Sequence, residues 1–218
     1  MNPKELRKYW REKLEVPPGL SELDIINFWK NEDKPYSKRV EAVKEYGRIF
    51  NKNILVETGT FHGDMIVAVE NCFDKIISIE LDLKLYEEAK QKFFHEPNVE
   101  ILHGDSGKIL TDVLNDIHEP CLFWLDGHYI PNTNYTARGE LDTPIMQELE
   151  QIFNHYCKEH VILIDDARCF IGPNPVLNGY PTIKELKEFV YKKNPELTFE
   201  VLDDIIRIFK KKVSKNDI

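Results

Sequence analysis

The stretch Ile54-Leu55-Val56-Glu57-Thr58-Gly59-Thr60-Phe61-His62-Gly63 governs the reading of this chain. Ile54 to Glu57 is a short apolar run that ends in an acid, the pattern of a buried strand. Gly59 permits a tight turn, and Gly63 lets the start of the next helix lie close to a ligand. The spacing is E-x-G-x-x-x-G, not the G-x-G-x-x-G of dinucleotide enzymes. The missing third glycine removes the helix approach to a pyrophosphate and sets an NAD-dependent enzyme aside. An acid at the head of the turn suits a ligand with positive charge and no phosphate.

Outward from this turn, strands and helices alternate. A helix runs from Asp64 to Cys72, a strand over 75–80, a helix from Leu83 to Phe94, a strand over 99–102 and a helix from Ser106 to Ile117. A fourth strand spans 121–126, and a loop rich in Asn, Thr and Gly extends to Asp142. Thr143-Pro144 opens a helix to about Tyr156, with proline at its favoured first position. A fifth strand spans 160–165, and Pro181 opens a helix to Lys193. Two last strands, 198–202 and 205–209, meet through Asp203-Asp204 as a hairpin. The fold class expected is α/β: a doubly wound, mostly parallel seven-stranded sheet with a C-terminal antiparallel hairpin.

Upstream, residues 1–50 carry helical periodicity and no strand signal. Leu6, Tyr9, Trp10 and Leu14 form one stripe, and Pro17-Pro18-Gly19 ends it. Ser21 opens a second helix containing Phe28 and Trp29, and a third runs from Lys38 to Phe50. This divides the chain into a helical cap or lid, 1–50, and a ligand-binding domain, 51–218. The cap also offers a surface for a homodimer.

Composition bounds the partners. The chain has 218 residues, 42% hydrophobic and 31% charged, and a formal charge of −9. That balance belongs to an ordinary globular protein. An acidic surface repels phosphate backbones, so no nucleic-acid partner is expected. No apolar run is long enough for a membrane span, and no leader is evident. Cys72, Cys121, Cys157 and Cys169 are scattered, without a C-x-x-C pair. They read as reduced thiols of a cytoplasmic protein.

In a doubly wound sheet ligands sit beyond the carboxyl ends of the strands. Those ends carry Glu57, Glu80, Asp105, Asp126 and Asp165-Asp166, all acids. Glu80 follows Glu57 by 23 positions and is placed to accept hydrogen bonds from two ribose hydroxyls. Gly104-Asp105-Ser106 can hold an adenine amino group through the carboxylate. Together they describe a nucleoside site.

With Glu57-Thr58-Gly59-Thr60, Gly63, Ser78-Ile79-Glu80, His103-Gly104-Asp105-Ser106 and Leu125-Asp126-Gly127-His128 in this order, residues 53–209 resemble class I S-adenosylmethionine-dependent methyltransferases. The resemblance implies a cofactor site of Glu57, Gly59, Thr60, Gly63, Glu80, Asp105, Ser106 and Asp126. The Asp126 and Asp165-Asp166 pattern also resembles metal-dependent sugar O-methyltransferases of the macrolide and aminocoumarin type. That likeness implies Asp126, Asp165 and Asp166 as ligands of Mg²⁺ or a similar cation. His128 stands where that family has an acid acting as base, so His128 with Asp126 is the expected catalytic pair. The expected activity is methyl transfer to a hydroxyl of a small molecule, a sugar or polyol first. A metal-independent N- or phenol O-methyltransferase is the alternative, and a non-catalytic cofactor-binding or scaffold protein is the alternative of another class.

Overall fold

The computed structural model describes residues 36–129, 137–172 and 179–211. The first two helices expected in the cap, around Trp10 and Trp29, lie outside the described residues. The order of elements is α1 (Tyr36–Phe50), β1 (Ile54–Thr58), α2 (Asp64–Val69), β2 (Lys75–Glu80), α3 (Leu83–Lys92), β3 (Val99–His103) and α4 (Ser106–Asn115). It continues with β4 (Leu122–Leu125), α5 (Ile145–Asn154), β5 (Val161–Ile164), α6 (Ile183–Lys193), β6 (Thr198–Leu202) and β7 (Ile205–Phe209). The seven strands form one sheet in the order β3-β2-β1-β4-β5-β7-β6. β1 to β5 pair in parallel, and β7 runs antiparallel to both β5 and β6. The sheet is the one expected, hairpin included.

Both faces of the sheet are covered, which is why its central strands are continuous apolar runs rather than alternating ones. Side chains alternate across the sheet. On one side Leu55, Trp124 and Leu163 pack with Val43 of α1, Ile66 of α2 and Ala89 of α3. On the other Val56, Phe123 and Ile162 pack with Leu110 of α4, Leu149 of α5 and Leu186 of α6. Val43, Leu55, Ile66, Phe123 and Leu149 are fully buried. Each contributes roughly 1.5–3 kcal/mol. The helix α1, which the sequence assigns to the cap, therefore serves as one of three helices over one face. α2 is only six residues long and continues as a 3₁₀ turn, Glu70–Cys72, rather than as the longer helix expected. So short a helix depends on its packing, here through Met65, Ile66 and Val69.

Strand order reverses between β1 and β4, on either side of which the chain crosses to opposite ends of the sheet. A crevice opens at such a point. Single hydrogen bonds carry the ladders past the strand ends: Gly59 N to Ile79 O (2.9 Å), Asp126 N to Thr58 O (3.0 Å) and Asp165 N to Leu125 O (3.1 Å). These bonds hold the acidic rim rigidly on the sheet. Among the described residues no helix is long and apolar enough to cross a membrane.

Candidate active site

A cleft of about 170 Å³ lies at the crevice. Gly59, Glu80, Asp105, Ser106, Asp126 and His128 are among its walls. Five of the eight cofactor residues expected from sequence thus face one cavity. Gly59 has φ +84°, and a Cβ there would lie 2.5 Å from the carbonyl oxygen of Asp126. A glycine is required because two loops touch backbone to backbone under the cleft.

Glu80 is 5% exposed, and its carboxylate accepts the backbone N–H of Phe61 and of Asp82, each at 2.8 Å. Burial pushes its pKa up, and these N–H groups oppose that. The two bonds fix the carboxylate at the cleft wall while lone pairs remain for a ligand. Asp105 is the N-cap of α4, accepting from Gly107 N at 3.0 Å, and also lines the cleft. It is both the cap and the candidate ligand contact. Ser106 donates to Glu148 Oε1 at 2.6 Å.

The other three expected cofactor residues, Glu57, Thr60 and Gly63, are not among the residues lining the cleft. Glu57 accepts from Ser78 Oγ at 2.6 Å, and Ser78 Oγ lies 2.6 Å from Thr60 Oγ1. Glu57 and Thr60 are buried, so this chain of polar groups braces the glycine turn from beneath. Burial raises the Glu57 pKa to about 8, with the Ser78 hydrogen bond opposing. Gly63 was expected to bring a helix start against the ligand. Its φ is +70°, and a Cβ would meet the Phe93 ring at 2.5 Å, so packing against α3 demands the glycine.

The aspartates after β4 and β5 do converge, but with cations of the chain itself. Arg39 Nε lies 2.5 Å from Asp165 Oδ2, and Arg39 Nη2 lies 3.0 Å from Asp166 Oδ1. Arg168 Nη1 approaches Asp166 Oδ1 at 2.7 Å and also pairs with Asp204. His128 is held between Asp126 Oδ1 (3.0 Å from Nδ1) and Asp166 Oδ2 (3.3 Å from Nε2). Among the described residues no group of three or more His, Cys, Asp or Glu side chains is arranged for a metal ion. The Mg²⁺ centre expected of Asp126, Asp165 and Asp166 does not fit this arrangement, because protein donors already engage the carboxylates. Burial, with Asp126 and Asp166 nearby, pushes the Asp165 carboxyl up, and Arg39 opposes it.

Burial alone would lower the His128 pKa, but the Asp126 hydrogen bond and the fields of Asp126, Asp166 and Asp165 outweigh it and raise it to about 9. At neutral pH the ring therefore carries two protons. The histidine expected as a free base is a cation with an acid on each nitrogen.

The turn after β5 is shaped by the hairpin tip. Asp166 is left-handed (φ 54°), as are Asp203 and Asp204 between β6 and β7. Ala167 N donates to Asp204 O, and Arg168 N to Asp204 Oδ1. Aspartate tolerates this conformation better than most residues. Sequence reasoning missed Arg39 and Glu148. Arg39 resembles any charged residue early in a helix. Glu148 did leave a signal: it sits on the apolar face of α5 with Ile145, Leu149 and Ile152.

No protein-family model and no curated protein matches the sequence. Among solved structures, similarity extends to a Staphylococcus aureus protein provisionally described as a caffeoyl-CoA O-methyltransferase, at 16% identity and TM-score 0.58 over 95% of this chain and 98% of that one. A Bacillus cereus O-methyltransferase in complex with SAH is similar at 14% identity and TM-score 0.56, covering 94% and 97%. The Streptomyces achromogenes O-methyltransferase TomG, involved in tomaymycin synthesis and bound to SAM, is similar at 13% identity and TM-score 0.54, covering 97% and 100%. At these identities the likeness is one of architecture, and the architecture is the Rossmann-like methyltransferase fold.

Proposed function

We propose that the protein is an S-adenosylmethionine-dependent O-methyltransferase acting on a hydroxyl of a small molecule. The observation that carries this reading is Glu80. Its carboxylate is buried, aimed by two backbone N–H groups and set in the wall of the cleft beside Gly59, Asp105 and Ser106. This suits a ribose between an adenine contact at Asp105 and a close-approach turn at Gly59. The SAH- and SAM-bound proteins of the same fold support the assignment of the ligand.

When bound, the cofactor supplies a methyl group on a positively charged sulfur. The chain's task is to hold the acceptor oxygen in line with that methyl and to manage its proton. Asp126 and His128 stand where the cleft meets the acidic rim, beside the turn that Gly59 makes. His128 accepts a proton only as the neutral ring, and the carboxylates on its two nitrogens favour the charged form, so a base role for His128 strengthens as pH rises toward about 9.

A sugar or polyol was the first acceptor class expected. A second class is favoured by the arginine contacts at Asp165 and Asp166. Sugar hydroxyls are weak acids, and a metal ion would ease their ionisation. A phenol, with a pKa near 10, needs less help. A phenol acceptor therefore fits a rim whose positive charge comes from arginine.

Calorimetric titration with S-adenosylhomocysteine tests the reading. One molecule should bind per chain, and Glu80→Ala should weaken it. With phenol and polyol acceptors, His128→Ala should slow turnover by roughly 10²–10⁴-fold while leaving cofactor affinity intact. A protein that ignores S-adenosylhomocysteine is not this enzyme.

A further inference from the structure

Arg39 lies on α1 three and four residues before Ala42 and Val43, which are fixed in the core at 2% and 0% exposure. Residues so spaced share a helix face. The same packing that buries α1 thus carries a guanidinium beneath the sheet rim. The Arg39 side chain is 13% exposed, and the Asp165 and Asp166 side chains are 4% and 9% exposed.

Every carboxylate oxygen of the aspartate pair faces a protein donor. Asp165 Oδ2 faces Arg39, and Asp165 Oδ1 accepts the backbone N–H of Asp166 at 2.8 Å. Asp166 Oδ1 faces both Arg39 and Arg168, and Asp166 Oδ2 faces His128. A hard divalent cation needs several oxygens turned to one centre. Here one oxygen of each acid is turned to a planar fork that meets both acids at once, as an arginine does well, and the other oxygens face the Asp166 N–H and His128. A cation at that centre would also stand against two guanidinium groups.

We propose that Arg39 is a built-in counterion that takes the place of a divalent metal among Asp126, Asp165 and Asp166. It holds Asp166 against His128, and the site binds no divalent ion. Arg39 is a positioning residue that acts through Asp165 and Asp166. The inference rests on the methyltransferase reading for its catalytic meaning, but its test needs neither cofactor nor acceptor.

The experiment is calorimetric titration of the metal-stripped full chain with MnCl₂, for wild type, Arg39→Gln and Arg39→Lys. Folding of each is checked by circular dichroism. Wild type should show no saturable binding tighter than about 1 mM. Arg39→Gln removes the charge and should bind one Mn²⁺ at least about tenfold tighter, with a melting temperature that rises with Mn²⁺. Arg39→Lys keeps the charge and should stay unresponsive. If Arg39→Gln does not fold, wild type and Arg39→Lys still decide. Saturable Mn²⁺ binding by either, lost on Asp165→Asn, overturns the proposal, as does a folded Arg39→Gln that binds no better than wild type. S-adenosylhomocysteine titrated in parallel reports on the methyltransferase reading alone.

Discussion

The backbone of Gly59 rests against the carbonyl of Asp126, so closely that a Cβ on Gly59 would lie 2.5 Å from the Asp126 oxygen. Register makes the contact unavoidable: Thr58 pairs with Leu125, and the next residues on both strands are these two. The end of β1 and the end of β4 therefore share the floor of the cleft.

Gly59→Ala should both destabilise the fold and damage the cleft. A side chain at φ +84° is strained, and the methyl has no room. The expected loss is about 1–3 kcal/mol. Urea unfolding would register it as a lower midpoint with unchanged slope. A wild-type midpoint would mean that the two loops are free to separate.

Replacing Glu80 by alanine removes an acceptor from the cleft and frees the N–H groups of Phe61 and Asp82. Charge-assisted hydrogen bonds are worth about 1.5–3 kcal/mol each, so S-adenosylhomocysteine affinity should fall about tenfold or more. Glu80→Gln, which keeps one acceptor oxygen, should fall between the two. Equal affinity for all three proteins removes Glu80 from the site.

Glu148 is buried, and burial raises its pKa to about 7 despite the Ser106 hydrogen bond. The folded pKa exceeds the unfolded value of about 4.5, so the native state holds the extra proton. Stability from this group is complete below about pH 4.5 and is lost as pH rises through about 7, a change of about 3 kcal/mol. Glu148→Gln cannot ionise and should flatten that decline. Unfolding free energies of both proteins at pH 5 and pH 8 give the comparison, and parallel declines would exclude Glu148 as the source.

His160 behaves oppositely. Its Nδ1 accepts the backbone N–H of Cys121 at 2.9 Å, and its Nε2 lies 2.9 Å from His155 Nδ1. Burial, and then the neighbouring His155, lower its pKa to about 3. The unfolded ring, with a pKa near 6.5, binds a proton that the folded ring refuses. Stability is complete above about pH 6.5 and falls as pH drops toward 3, by about 2 kcal/mol at pH 5. His160→Gln should lose that acid sensitivity. A His160 ring that titrates near 6.5 by NMR in the folded protein would refute the assignment.

The alternation of strands and helices, the seven-stranded sheet, the closing hairpin and the acids at the strand ends were all legible along the chain. Each is written locally, as apolar runs of strand length, helical periodicity, turn residues and a carboxylate after the last buried position. Glu80, Asp105 and Ser106 face the cleft because a parallel sheet puts consecutive strand ends side by side. Charge pairing across the fold had no such local trace. Arg39 and Asp165 are 126 positions apart, and nothing near either names the other. Whether three aspartates gather a metal or a guanidinium depends on where α1 packs against the sheet. The same holds for Gly63, whose partner is the Phe93 ring, and for Glu148, whose acid is buried against Ser106. Backbone pattern follows from short-range sterics and burial, whereas the partner of a buried charge is chosen by the elements that happen to meet over it.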